Sequence, residues 1–156
     1  MRQLELSVFA MASNTINMRL IAGTALFSAM SDSAFAERIT GPAYVRDADT
    51  IVISRTEIRL YGVDAPELYT RFGRLAATFL HDLLQGETVR CDVENASMRQ
   101  PLLGTCYIEV DGNNLDIAAI LVSVGHALDC QAISGGRYRN LEQPDVRSRF
   151  TPAEYC

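Results

Sequence analysis

One long helix-period segment lies between two groups of β-rich runs, and this order restricts the fold more than any other feature of the chain. In residues 68–85, Leu75, Phe79, Leu80, Leu83 and Leu84 form one apolar helical face, and Gly86 ends it. Ahead of it lie three β-rich runs, residues 38–46, 50–54 and 57–63. The tight link Ser54-Arg55-Thr56 reads as a hairpin between the last two. After the helix come a fourth run at residues 87–93, a polar loop at 95–101 and a fifth run at 102–110, closed by the turn Asp111-Gly112. Residues 115–124 read as a second helix, stopped by Gly125. Beyond Cys130 the chain contains Gly, Arg and Pro with little periodicity. The expected order is β-β-β-α-β-β-α. That is a mainly β, α+β chain: a five-stranded OB-type barrel with two to three helices.

A length of 156 residues suits one domain, and a hydrophobic fraction of 48% supports a real core. The formal net charge is -5, and all 14 basic residues are arginine. Such a chain lacks the basic field that non-specific polyanion binding requires.

The N-terminus reads as an export signal. Met18-Arg19 gives a positive start, residues 20–30 are apolar, and Ala34-Phe35-Ala36 is an A-x-A cleavage site. Residues 1–17 are either a long n-region or an unused upstream start. The apolar run is too short for a membrane span of about 20 residues; the alternative is a first core helix. Residues 1–36 are therefore expected to be a signal peptide, and the protein periplasmic or secreted. Setting them aside leaves the net charge unchanged. The cysteines, Cys91, Cys106, Cys130 and Cys156, all follow the signal, and an even count in an exported chain reads as disulfides. Three pairings are open. Zinc is the weaker reading, since no C-x-x-C occurs and only His81 and His126 are present.

Two acidic clusters flank the expected hairpin: Asp47-Ala48-Asp49-Thr50 and Val63-Asp64-Ala65-Pro66-Glu67. A turn near Arg55 puts Asp49 opposite residues 62–64, where cross-strand Cβ atoms are about 4.5–5.5 Å apart. Two carboxylates so placed repel unless a positive charge lies between them. A hard divalent cation such as calcium suits oxygen donors of this kind. Glu67 follows a proline that stiffens its loop, and Arg59 sits mid-strand, where a guanidinium needs an anion such as phosphate. The plainer reading is a turn at Asp47, a helix entry at Asp64 to Glu67, and an Arg59–Asp64 ion pair.

The run Val45-Arg46-Asp47-Ala48-Asp49-Thr50, followed by Ile58-Arg59-Leu60-Tyr61-Gly62-Val63-Asp64-Ala65-Pro66-Glu67, resembles the staphylococcal-nuclease-like signature V-x-D-G-D-T … x-R-L-x-G-I-D-A-P-E. Phe72-Gly73, Gly86-Glu87-Thr88-Val89 and Asp111-Gly112 also resemble the family, and Gly125 to Cys130 with Ser134 to Tyr138 is similar to exported proteobacterial members. The resemblance implies an OB-type domain at residues 37–138 with a C-terminal tail at 139–156. It implies Ca2+ held by Asp49, Asp64 and the backbone carbonyl of Ala65, with Asp47 supporting the ion. Glu67 becomes the general base, and Arg59 the phosphate ligand. Members of the family cut DNA and RNA and leave 3′-phosphate ends. A family hairpin pairs the fourth and fifth strands, which implies Cys91–Cys106 and leaves Cys130–Cys156 to tie down the tail.

The resemblance breaks at three places. The family carries a second catalytic arginine in D-x-Y-G-R before the fifth strand. Here Ser97-Met98-Arg99-Gln100-Pro101-Leu102-Leu103-Gly104 puts Pro101 at that position, or Leu103 after a two-residue shift. Arg99, at the tyrosine position, substitutes only if the loop re-routes. Ala48 stands where glycine is usual, and the chain is acidic. Losing one transition-state donor commonly costs about 10²–10³ in rate. The expected function is a weak calcium-dependent nuclease acting as a monomer on DNA or RNA, free of the membrane once the signal is removed. The alternative is a non-catalytic OB-fold module that binds nucleic acid or another ligand.

Overall fold

The computed structural model describes residues 37–94 and 101–156. The expected signal segment and Arg99 lie outside these residues.

The expected first strand is divided at Pro42 into β1 (Glu37–Gly41) and β2 (Ala43–Asp47). Proline has no N–H for a ladder, and the chain changes partner there: β1 pairs with β6 (Val89–Glu94), and β2 with β3 (Thr50–Ile53). Ser54 and Arg55, both with positive φ, turn β3 into β4 (Thr56–Leu60). Positive φ at both central residues is the two-residue hairpin geometry that matches strand twist. Asp111 and Gly112 repeat it between β7 (Leu102–Val110) and β8 (Asn113–Asp116). The main sheet runs β1-β6-β7-β4-β3-β2, with β8 beside β7 and only the β4–β7 pair parallel. Its two edge strands are consecutive in the chain, so the sheet curls on itself into the OB-type form. Inside lie Ile51, Ile53, Ile58, Leu60, Val89, Val93, Leu102 and Ile108, all at or below 5% exposure.

Helix α1 (Arg71–Leu84) buries Gly73, Ala76, Leu80 and Leu84 and packs against β2. Leu75, expected on that face, is 48% exposed. The inward stripe follows positions 73, 76, 80 and 84, and Leu75 lies off that line. The second helix starts later than expected: Leu115 belongs to β8, and Asp116 caps α2 (Ile117–Ser123) by accepting from the N–H groups of Ala118 and Ala119. The strand expected at 57–63 stops at Leu60. Gly62, with φ +74°, turns the chain into β5 (Val63–Asp64), which pairs with β9 (Leu128–Asp129) in a separate two-stranded sheet. The aperiodic tail holds α3 (Gln131–Ser134), a 3-10 turn at Arg139–Leu141 and α4 (Val146–Arg149).

Cys91 and Cys106 face each other across β6 and β7 and are bonded; Cys130 is bonded to Cys156. Among the described residues no helix is long and apolar enough to cross a membrane.

Candidate active site

Each acidic residue is placed by a local device. The β2–β3 register shifts between Val45 and Asp47, and the chain turns through Ala48, whose N–H donates to Asp47 Oδ1 at 2.8 Å. Ala48 is fully buried, and the described non-glycine residues with positive φ are Ser54, Arg55 and Asp111. Alanine thus stands at the usual glycine position without left-handed strain. Asp49 follows, with its carbonyl accepting from Leu60 N–H at 2.8 Å, and Thr50 lies opposite Arg59. On the other side of Arg59, Leu103 is its partner in the parallel β4–β7 pair.

Asp64 comes from β5. A Cβ at Gly62 would approach Ser134 Cβ to 2.7 Å, so this turn needs glycine for space as well as for its φ. Glu67 precedes α1. Thr70 caps that helix by accepting from Gly73 N–H at 2.9 Å, and donates its own hydroxyl to Glu67 O at 2.8 Å. A Cβ at Gly73 would lie 2.0 Å from Glu67 O. The glycine lets the Pro66-Glu67 backbone rest directly on the helix.

These devices gather every described residue expected at the site. Asp47, Asp49, Thr50, Arg59, Asp64, Ala65 and Glu67 line one cavity of about 140 Å³, closed by Ala153 and Tyr155. That is room for several waters. Asp49 and Asp64 are buried at 5% and 7% exposure, whereas Glu67 is exposed. Arg59 Nη2 lies 2.9 Å from Asp49 Oδ2 and 3.4 Å from Asp64 Oδ1. The positive charge between the two aspartates is therefore a guanidinium; the plainer reading expected Arg59 to pair with Asp64, and its closer partner is Asp49. Thr50 Oγ1 donates to Asp49 Oδ1 at 3.0 Å, and Ala65 N–H points at Asp49 Oδ2 at 3.5 Å. Burial pushes the Asp49 carboxyl above the usual carboxylate range, against the pull of Arg59 and the Thr50 hydroxyl.

Among the described residues no group of three or more acidic, histidine or cysteine side chains is arranged to hold a metal ion. The donor chemistry nevertheless fits a hard cation. Four carboxylates, those of Asp47, Asp49, Asp64 and Glu67, share the cavity with one guanidinium, and every donor is oxygen. The excess negative charge has no other counter-ion among the residues lining it.

Sequence reasoning gave Thr50 no role of its own and missed Ala153 and Tyr155. Ala153 N–H donates to Asp64 Oδ2 at 2.8 Å, and Arg59 Nη2 donates to the Tyr155 hydroxyl at 2.9 Å. One signal pointed there. Cys130 follows β9, the partner of the strand that carries Asp64, so a bond to Cys156 brings its neighbours towards the site.

Residues 57–147 match the family described as staphylococcal nuclease homologue. The chain belongs to that family. The match contains Arg59, Asp64 and Glu67; Asp47 and Asp49 precede it, and Tyr155 follows it. The chain is also similar to the succinoglycan biosynthesis protein ExoI of Rhizobium meliloti (strain 1021), 31% identical over 123 residues. The alignment covers 72% of this chain and 63% of that protein, so the chain spans less than two thirds of its relative.

Proposed function

We propose that this protein is a calcium-dependent phosphodiesterase acting on DNA or RNA outside the cytoplasm. The supporting observation is the single cavity that gathers Asp47, Asp49, Arg59, Asp64 and Glu67 in a member of the nuclease family. In this reading Asp49, Asp64 and the Ala65 carbonyl hold the ion, and Asp47 supports them. When bound, the ion offsets phosphate charge and favours charge build-up on the phosphoryl oxygens. With its aspartates so engaged, Arg59 takes a phosphate oxygen. Glu67, exposed at the cavity mouth, accepts a proton from the water that attacks phosphorus. The bond from phosphorus to the 5′ oxygen breaks, that oxygen leaves as a hydroxyl with a proton taken from solvent water, and the phosphate stays on the 3′ side. No second guanidinium stands at Pro101 or Leu103, which makes the enzyme slow.

The test is hydrolysis of single-stranded DNA and RNA by the purified protein with calcium or with chelator. Glu67→Gln should remove roughly 10²–10⁴-fold of the rate, the usual range for a general base. It should leave calcium binding intact. No turnover in either protein sinks the enzymatic reading. A second reading, a non-catalytic OB-type module binding nucleic acid or another ligand, draws on Arg59's pairing with both aspartates and on the proline at position 101. Tight binding without hydrolysis would favour it.

For the whole chain we propose a signal at residues 1–36, a catalytic domain at 37–138 and a disulfide-tied tail at 139–156, in a periplasmic or secreted monomer. Two disulfides suit an oxidising compartment. Mass spectrometry of protein from the native host should find Glu37 at the N-terminus outside the cytoplasm; an intact N-terminus in the cytosol refutes export.

A further inference from the structure

The last residues of the chain form one wall of the acidic cavity, and their contacts are specific. Cys156 is bonded to Cys130 beside β9, whose partner β5 carries Asp64. The chain just before Cys156 is thereby fixed next to the site. Ala153 N–H donates to Asp64 Oδ2, which holds the segment from its other side. Between these anchors, the Tyr155 hydroxyl accepts from Arg59 Nη2 at 2.9 Å, and the guanidinium carbon lies 6.0 Å from its ring centroid. The ring is 58% exposed, so apolar burial does not account for its position.

A phenol has one hydrogen to donate and oxygen lone pairs to accept with. Here the oxygen accepts from Arg59, and no described residue accepts the phenolic hydrogen. Burial, then the negative charge of Asp64 and Asp49, holds the phenol above its ordinary pKa against the pull of Arg59. An ordinary phenol, with a pKa of about 10, is already a neutral donor at physiological pH. A donor seated on the phosphate-binding guanidinium, with its own proton unspent, suits an anionic oxygen shared between the two.

We propose that Tyr155 is a substrate-contact residue. Its hydroxyl, seated against Arg59 by the Cys130–Cys156 bond, donates to a non-bridging phosphate oxygen. It thus supplies the second donor that Pro101 and Leu103 cannot. This inference rests on reading the cavity as a phosphodiester site. The opposing idea is that the tail is a plug, with Ala153 and Tyr155 occupying groups the substrate needs. The two ideas predict opposite signs.

Tyr155→Phe in the full chain keeps the ring and the disulfide and removes only the hydroxyl. The variant should lose about 10–10²-fold in kcat/KM on single-stranded DNA with calcium, at or below the usual cost of one transition-state donor. Its melting temperature and calcium response should not change. A phosphorothioate oligonucleotide, which resists cleavage, should bind it about tenfold more weakly than wild type. Cys156→Ser, which unseats the tail and leaves Cys91–Cys106 intact, should match the activity loss. If Tyr155→Phe equals or exceeds wild type in rate, the inference is overturned while the phosphodiesterase reading stands. If wild type binds the phosphorothioate through the Tyr155 hydroxyl yet cleaves nothing, the contact stands and the enzymatic reading falls. If wild type neither cleaves nor binds, both fall.

Discussion

Asp49 is 5% exposed and, among the described residues, shares its one nearby cation, Arg59, with Asp64. A buried carboxylate with half a counter-ion is the group that gains most from an added cation. Calcium at about 100 times its Kd should stabilise the fold by about 2.7 kcal/mol, because a ligand confined to the folded state adds its binding energy to stability. Asp49→Ala should erase that gain. Calorimetry with and without calcium checks both, and a wild type that ignores millimolar calcium would make the site a relic. A second residue-scale prediction concerns the missing arginine. Leu103 is the direct partner of Arg59 across the parallel β4–β7 pair, so the two side chains share a face. Pro101 lies two residues earlier, just ahead of β7. An arginine at the true second-donor position should raise kcat by up to about 10²-fold. The assay compares Leu103→Arg with Pro101→Arg, and the register favours Leu103. If neither gains, the second donor is already present, and Tyr155→Phe then carries the whole loss.

At the scale of elements, α1 and the loop before it act as one unit. Gly73 presses its backbone against Glu67, where a Cβ would stand 2.0 Å from the carbonyl oxygen. Gly73→Ala should therefore push the Glu67 loop off the helix. Overpacking of this kind costs about 1–3 kcal/mol. Thermal unfolding measures that cost. The rate should fall further than the fraction of folded protein, since Glu67 moves with the loop; an unchanged rate per folded molecule refutes the coupling. Much of the element order was legible beforehand. Ser54-Arg55 is a short polar link between β-rich runs and Asp111-Gly112 closes the fifth run; both form turns, though the strand β8 after the second was not expected. The acidic residues were legible because a long motif carries them. What escaped has common physical causes. The break at Pro42 and the turn at Gly62 fall inside runs whose β character continues on both sides, so periodicity alone does not reveal them. Leu115 was assigned to a helix because it leads an apolar run, yet the cap that starts the helix is Asp116. Tyr155 escaped although the Cys130–Cys156 bond was expected, because the β5–β9 pairing that sets Cys130 beside Asp64 joins segments far apart in the chain, and local pattern holds no record of that.

Across the whole molecule, the tail is fastened by ionic contacts as well as by sulfur. Glu142 Oε1 accepts from Arg147 Nη2 at 2.7 Å and from Asp129 N–H at 2.9 Å, and its Oε2 accepts from Arg147 Nε at 2.8 Å. Burial raises the Glu142 carboxyl, but these bonds and the Arg147 and Arg139 charges outweigh it and hold the group below its ordinary value. A depressed carboxyl binds fewer protons folded than unfolded. Its contribution is therefore present above the ordinary glutamate pKa and lost as pH falls through the folded value. Glu142→Gln should be less stable at pH 7 by about 2 kcal/mol, typical of hydrogen bonds to a charged group. The gap to wild type should narrow as pH falls below the ordinary glutamate pKa, and melting curves across that range check the sign. The curled sheet carries a different vulnerability. Both of its edges are covered by one short stretch, residues 37–47, kinked at Pro42. A protease nick at that kink would cut the link between the two strands that cover the ladders of β6 and β3. Unpaired ladders recruit strands from other chains, so losing either of these strands would leave the curled sheet open to edge-to-edge pairing.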